Sequence, residues 1–236
     1  MTLLTIIQDA CDEIGISKPT TVIGNTSAKV VQLLALANRE GKSLAARNKN
    51  GWVELIEEGS FTTVATESQG AVETIAPGYN WIINDTIWNR TQQRPVFGPN
   101  TPVEWQALLA SQFAGPYSEY RLRGKNLLFY PTPTAGESCY FEYVSKNFCE
   151  SSGGTGQTAW ADDTDVGRLS EDLMTLGLIW RWKKSKELDY AEEFNEYERQ
   201  VMDEMSTNAT ATTIDSSLTG YSNWPQIIVP DSGIGQ

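Results

Sequence analysis

The sequence contains no histidine among its 236 residues. Without imidazole, the chain cannot form a Ser-His-Asp or Cys-His catalytic system, nor a zinc site that requires histidine. It also lacks the side chain that most often transfers protons at neutral pH. Any enzyme of this sequence would have to use carboxylates, lysine, tyrosine or a bound cofactor. We therefore expect no enzyme activity, no catalytic residue, no cofactor and no metal.

Cysteine is scarce, and long apolar runs are absent. The three cysteines, Cys11, Cys139 and Cys149, have no CxxC spacing and cannot all pair, which favours reduced, buried thiols in a cytoplasmic protein. No apolar run approaches the roughly 20 residues that span a bilayer. The first lysine is Lys18, so the start of the chain has no basic region typical of a signal peptide. We expect a protein that is made and used in the cytosol, or is assembled there into something larger, with no membrane partner.

Basic residues are outnumbered. The 18 Lys and Arg against 30 Asp and Glu leave a formal net charge of −12 and a pI near 4.5. Such a surface repels phosphate backbones and anionic lipids. The protein is therefore a poor candidate for a nucleic-acid or membrane-surface binder.

Hydrophobic periodicity divides the chain into four parts. Helical spacing of apolar residues predicts two helices in residues 1–50, with a stop at Gly15, and further helices in residues 161–205. Residues 51–160 are predicted to be mostly β, including strands SFTTVAT and AVETIA, a hairpin at Gly124-Lys125-Asn126, and a flexible linker from 150 to 160. Thr101-Pro102-Val103-Glu104 predicts the start of one short helix in this part. The predicted fold class is α+β.

The helices of residues 161–205 contain an apolar-aromatic seam. Asp162, Asp163 and Asp165 are interpreted as acids at a helix start, because Arg168 and Met174 occupy the positions where a calcium loop needs Gly and Glu. Five residues are predicted to pack the bundle or its subunit contacts: Trp180, Trp182, Phe194, Tyr197 and Val201. The basic residues around Trp180 alternate with tryptophans, as in proteins that bind single-stranded nucleic acid. The acidic residues that follow favour core tryptophans instead.

Residues 206–236 have a different composition. They contain no Lys or Arg and many Ser and Thr, which predicts an extended arm rather than a domain. One apolar patch interrupts the arm, and its residues are predicted to dock on a partner: Trp224, Ile227, Ile228 and Val229. Whether they dock on another protein or on a neighbouring copy stays open.

Two glycine motifs resemble parts of nucleotide-binding motifs. Gly41-Lys42-Ser43 resembles the end of a P-loop, but Leu36 stands where the first glycine is required. Gly154-Thr155-Gly156 resembles part of a dinucleotide fingerprint, but acids follow it and no βαβ unit surrounds it. Neither motif predicts nucleotide binding.

The order of several motifs is similar to that of a known family. A hairpin, a Pro-x-Pro and a Phe-Glu-Tyr-Val-Ser strand lie in RLRGKNLLFYPTPTAGESCYFEYVSKNF (121–148), and Leu-Ile-Trp-Arg-Trp-Lys-Lys and Tyr-Ala-Glu-Glu-Phe lie in residues 161–201. WIINDTIWNRTQQRPVFGP and TPVEWQAL (81–107) fit the same order. Together these segments resemble the adaptor, or head-to-tail connector, proteins of short-tailed bacteriophages.

The resemblance implies a structural virion protein of the neck or tail. The helices at both chain ends would form one bundle, residues 51–160 a β-rich insertion, and residues 206–236 an extended docking arm. The implied assembly is a ring, typically of twelve copies, that joins the portal protein to the tail nozzle or tail-tube proteins. Genomic DNA would pass through the ring without specific binding.

Two other functions remain open at this point. Plentiful carboxylates permit a virion-associated enzyme that cleaves peptidoglycan with an acid/base pair. The chain could also be a cytoplasmic binding module unrelated to virions.

Overall fold

The computed structural model of the chain describes residues 2–47, 52–111, 115 and 117–208. Helices lie at both ends of this part and strands lie between them, which confirms the α+β class. The helices are α1 (Leu3–Ile14), α2 (Ala28–Arg47), α3 (Val72–Ile75), α4 (Pro102–Ala110), α5 (Glu171–Ser185) and α6 (Ala191–Asn208), with a 3-10 turn at Val53–Leu55. The strands are β1 (Ile56–Thr62), β2 (Ser68–Ala71), β3 (Tyr79–Ile82), β4 (Trp88–Asn89), β5 (Arg94–Phe97), β6 (Ser118–Arg123), β7 (Asn126–Tyr130), β8 (Ser138–Ser145), β9 (Cys149–Glu150), β10 (Gly156–Gln157) and β11 (Val166–Gly167).

Helices from both chain ends share one core, as the resemblance implies. α5 is central and packs against α1, α2 and α6. Fully buried leucines and isoleucines fill the space between them, among them Leu3, Ile7, Leu33, Leu44, Leu173 and Leu178. Phe148 and Trp160, from the end of the β-rich part, join the same core. Phe148 lies against Gly41, where a Cβ would come within 2.2 Å of its ring, so the former P-loop candidate is a packing glycine.

The large sheet has its own core. Its strand order is β1-β8-β4-β5-β6-β7-β2, with β3 also paired to β8, and only the β5–β6 pair is parallel among the described strands. β1 and β8 pair over their length, from Ile56 opposite Val144 to Thr62 opposite Ser138. The predicted hairpin is β6–β7. Aromatic rings fill this second core, with Phe61 meeting Phe129 edge-on at 5.7 Å between ring centres.

Three predictions in the β-rich part are wrong in whole or in part. The predicted strand SFTTVAT belongs to β1 only as far as Thr62. AVETIA is not a strand throughout, because Val72 begins a single helical turn, α3, that directs both Val72 and Ala76 into the sheet core. Residues 150–160 are not simply a flexible linker. A turn closed by the Ser151 and Gly154 amides brings β10 back to pair with β9. β11 pairs with the other edge of β9.

The acids at 162–165 do not start α5, which begins at Glu171. The Asp163 carboxylate instead accepts hydrogen bonds from the Val22 and Ile23 amides at 2.7–3.1 Å. The buried Asp165 carboxylate accepts from the Ala161 and Asp162 amides at 2.7 and 2.8 Å. The backbone carbonyls of Asp163 and Asp165 accept the first amides of α1. These acids therefore fix the loop that covers the N-terminus of α1.

Candidate functional site

The helical bundle contains the residues predicted to pack subunits or helices. Trp180 of α5 faces α6, where the Phe194 ring lies 5.1 Å from it and the Tyr197 ring 5.9 Å, measured between ring centres. Tyr197 and Val201 are fully buried, while Phe194 is half-buried. Trp182 is also buried in the bundle core but does not join this ring cluster, because two residues along a helix place it on another side of α5. These five side chains therefore face inward, within one copy of the chain.

A buried carboxylate lies beside the aromatic cluster. Glu40 of α2 has no exposed surface, yet it accepts hydrogen bonds from the Tyr197 hydroxyl and from Nε of Arg181. The Arg181 guanidinium also lies 4.4 Å from the Trp180 ring centre. Burying a charge is costly unless it is paired and hydrogen-bonded, and Glu40 meets both conditions. The three helices α2, α5 and α6 are thus joined at one polar point inside an apolar core.

A glycine makes room for this carboxylate. A Cβ at Gly177 would lie 2.3 Å from the carboxyl carbon of Glu40 and 2.4 Å from one of its oxygens. α5 therefore needs glycine at this position for α2 to approach with Glu40 in place.

Burial and the neighbouring charge keep the Tyr197 hydroxyl protonated. Desolvation raises its pKa well above the usual range, and the Glu40 carboxylate raises it further. Tyr197 is therefore a hydrogen-bond donor at every physiological pH. It acts here as a structural link and not as a proton-transfer group.

The basic residues near Trp180 are engaged within the chain. Arg181 pairs with Glu40, Lys183 pairs with Glu193, and Lys186 donates to the Gln32 side chain at 2.8 Å. Lys184 Nζ lies 5.7 Å from the ring centres of both Trp180 and Tyr190. These contacts agree with core tryptophans on a charge-balanced helix. They leave no aromatic ring of this group open for stacking against the bases of a single-stranded nucleic acid.

One apolar helix lies outside both cores. α4 begins with the predicted capping box, in which Glu104 N–H donates to Thr101 Oγ1 at 3.3 Å and Glu104 accepts from the Thr101 amide at 2.7 Å. Only Trp105 on this helix is buried, whereas Val103 is 79% exposed and Leu109 is 42% exposed. α4 is therefore available for contact with another molecule.

The carboxylates that line an open depression do not resemble a glycosidase pair. Glu58, Asp85 and Glu142 line it with Trp88 and Tyr140. Glu58 is half-exposed and paired with Arg90, whose guanidinium covers the Tyr140 ring at 3.5 Å. The general acid of a glycosidase needs an apolar, water-poor environment, whereas the Glu58 side chain is 53% exposed.

Within the described part of the chain, no cluster of three or more His, Cys, Asp or Glu side chains could hold a metal ion. None of the helices described there is long and apolar enough to cross a bilayer. α6 extends to Asn208, so residues 206–208 belong to this helix and not to the predicted extended arm. The predicted docking residues Trp224, Ile227, Ile228 and Val229 lie outside the described residues.

Sequence reasoning missed the buried Glu40. A signal was present, because Leu33, Ala37, Glu40 and Leu44 fall on one stripe of α2, and an acid on an apolar stripe requires a buried partner. The roles of Asp163 and Asp165 had no comparable signal.

The comparisons with known proteins include a family match. The family model described as SU10 adaptor protein matches residues 1–221. A search of curated protein sequences found no match. The family match includes every residue that the structure describes, the bundle and the sheet alike, and it confirms the resemblance noted from the sequence. The chain therefore belongs to the SU10 adaptor protein family and is a structural adaptor protein of a phage, a component of the virion neck.

Proposed function

We propose that the protein forms a non-catalytic ring, of twelve copies, that joins the portal protein to the tail nozzle or tail-tube proteins and continues the DNA channel. The observation that carries this proposal is the family match over residues 1–221. The stoichiometry follows the resemblance of the sequence to connector proteins. Assembly takes place in the host cytoplasm.

The two cores suit a ring subunit. The bundle is held by apolar packing and the Glu40 network, and the large sheet has a separate core of aromatic residues. The bundle and the large sheet can thus make different contacts, one with neighbouring copies in the ring and the other with a second ring. α4, with Val103 and Leu109 exposed, offers an apolar surface on the sheet unit.

The charge of the chain supports passage of DNA without binding. Each copy has a formal net charge of −12, so a twelve-copy ring has 12 × −12 = −144 before counter-ions. A channel wall of this sign repels the phosphate backbone. We expect no measurable affinity for duplex DNA at physiological salt. Micromolar, salt-sensitive binding that Lys183→Glu abolishes would contradict this part of the proposal.

We assign attachment in part to the predicted arm, of which residues 206–208 belong to α6 and residues 209–236 follow that helix. Residues 209–236, if fully extended at ~3.3 Å each, reach roughly 90 Å, which is enough to cross a neighbouring subunit. Trp224, Ile227, Ile228 and Val229 supply its apolar anchors, and each large apolar side chain contributes ~1.5–3 kcal/mol when fully buried. A ring multiplies such a contribution because all copies bind together.

The test is to mix the purified full-length protein with the portal protein of the same phage and image the complex. We expect a ring of the protein on one end of the portal. Trp224→Ala with Ile227→Ala should weaken attachment, whereas Leu218→Ala in the same segment should not. Attachment as tight as that of the full chain after deletion of residues 209–236 would show that the arm is not the anchor.

Two outcomes would overturn the proposed function itself. A monomer that ignores the portal would favour an unrelated binding module. Hydrolysis of purified cell wall that disappears when one carboxylate, such as Glu58, is changed would favour the peptidoglycan-cleaving enzyme.

A further inference from the structure

The outer face of α2 is a single exposed stripe that bears positive charge. The stripe consists of Ala28, Val31, Ala35, Arg39, Lys42 and Ala46, which repeat at helical spacing and are all exposed. Val31 is 50% exposed, a high value for a large apolar side chain on a bundle helix. We call this set the α2 outer face. It points away from α5, because the opposite stripe of α2 is buried in the bundle core.

The two cations of this face have no counter-ion on their own helix. The only acid of α2, Glu40, is buried on the opposite face. Neither Arg39 nor Lys42 forms a salt bridge with any residue in the described part of the chain. The α2 outer face is thus a basic surface on a protein of net charge −12.

The outer face of α6 has the opposite character. It consists of Glu192, Asn195, Glu196, Arg199, Met202, Asp203 and Ser206, all exposed and on one stripe. The set contains three acidic residues and one basic residue, Arg199, which lies 4.0 Å from Glu196. Met202 is 65% exposed in the middle of the polar residues. We call this set the α6 outer face, and it points away from α5 because Tyr197 and Val201 face the bundle core.

We infer that the α2 outer face of one copy packs antiparallel against the α6 outer face of the next copy. This inference rests on the proposed ring and names the contact that closes it. Two copies of the same face would place like charges together, which disfavours a symmetric dimer. Pairing of two different faces is a heterologous contact, and such contacts generate rings when the rotation closes.

The spacing along the two helices fits this arrangement. α2 has 20 residues and α6 has 18, so their lengths are about 30 and 27 Å. With Val31 opposite Met202, Arg39 lies about 12 Å and Lys42 about 16 Å along α2 at 1.5 Å per residue. In the antiparallel direction, Glu196 and Glu192 lie about 9 and 15 Å along α6. Arg39 therefore meets Glu196, and Lys42 meets Glu192.

The small residues of α2 permit the close approach that this packing needs. Ala28, Ala35 and Ala46 have short side chains, and packed helices approach to about 8–10 Å between their axes. Arg199, the single base of the α6 outer face, falls opposite Ala35 in this register and not opposite a cation. In a parallel arrangement with Val31 again opposite Met202, Arg39 and Lys42 would both lie beyond the acidic residues of α6.

Charge reversal tests the contact. Arg39→Glu with Lys42→Glu, and separately Glu192→Lys with Glu196→Lys, should each reduce the number of rings on the portal by about tenfold or more. A protein with all four changes should recover the rings, because the two faces exchange their charges. Lys125→Glu, at the β6–β7 turn, is the matched control and should leave ring formation unchanged. All changed positions are exposed, and thermal melts will confirm that the variants fold.

Crosslinking tests the register. A variant with Val31→Cys and Met202→Cys should form a ladder of disulfide-linked copies on the portal, while each single variant should form none. The native cysteines are buried and do not compete.

The outcomes separate the inference from the proposed function. If the wild-type protein forms rings on the portal and both reversed variants form them equally well, the inference is overturned while the proposed function stands. Failure of the four-change protein to recover rings that each pair of changes abolishes also overturns it. If the wild-type protein forms no ring at all, both are overturned.

Discussion

Replacement of Glu40 by Ala tests whether the buried network holds the bundle together. The change leaves the buried Tyr197 hydroxyl without its acceptor and Arg181, whose side chain is only 12% exposed, without its counter-ion. A buried polar group left unsatisfied costs about 1–3 kcal/mol. Removing one partner of a buried ion pair costs about 3–5 kcal/mol in total. We expect Glu40→Ala to lower the free energy of unfolding by about 3–5 kcal/mol.

The matched control is Glu58→Ala. Glu58 also pairs with an arginine, Arg90, but the two side chains are 53% and 55% exposed. An exposed pair of this kind contributes at most about 1 kcal/mol. Urea titrations of both variants measure the two losses, and thermal melts should show a decrease of about 6–20 °C in Tm for Glu40→Ala. Equal losses in the two variants would refute the reasoning, because burial would then have no effect.

Three further results are expected. Phe194→Ala should lower the free energy of unfolding by about 2–3 kcal/mol, less than a fully buried phenylalanine, and a loss below about 0.5 kcal/mol in denaturant melts would show that the ring faces solvent. Burial raises the pKa of the Cys139 and Cys149 thiols to about 12, so both should resist iodoacetamide at pH 8 in the folded protein and react in urea. Rapid labelling of the folded protein would contradict this. A hydrogen bond from Lys183 lowers the pKa of Glu193 below its ordinary value of 4.5. The stabilising contribution of this pair is therefore present above pH 4.5 and is lost as the pH falls through the folded-state pKa. Glu193→Gln should therefore make stability less sensitive to acid, and an unchanged acid dependence would show that the pair contributes nothing.

Features governed by near neighbours were predictable from the sequence. The capping box at Thr101 and Glu104 involves residues three apart, and the β6–β7 hairpin depends on the turn at Gly124 and Lys125. The seam of α6 follows from helical spacing, because one stripe must bury its apolar residues. In each case the sequence pattern that specifies the feature lies within one short stretch of the chain.

Features governed by distant partners were not predictable. The Asp163 carboxylate binds amides of residues 22 and 23, and nothing near Asp163 in the sequence indicates them. The acids were therefore assigned to the nearest helix start. The two-residue strands β9, β10 and β11 are too short for an alternating pattern to appear. Glu40 is intermediate, because its place on an apolar stripe indicated a partner without identifying Arg181 or Tyr197.

The most direct test of the central claim is to image the full-length protein bound to its portal by electron microscopy, with the mass of the complex measured in parallel. We predict a closed ring of twelve copies on one end of the portal, with an open channel along its axis. Portals without added density, together with a protein that stays monomeric at the same concentration, would contradict the account.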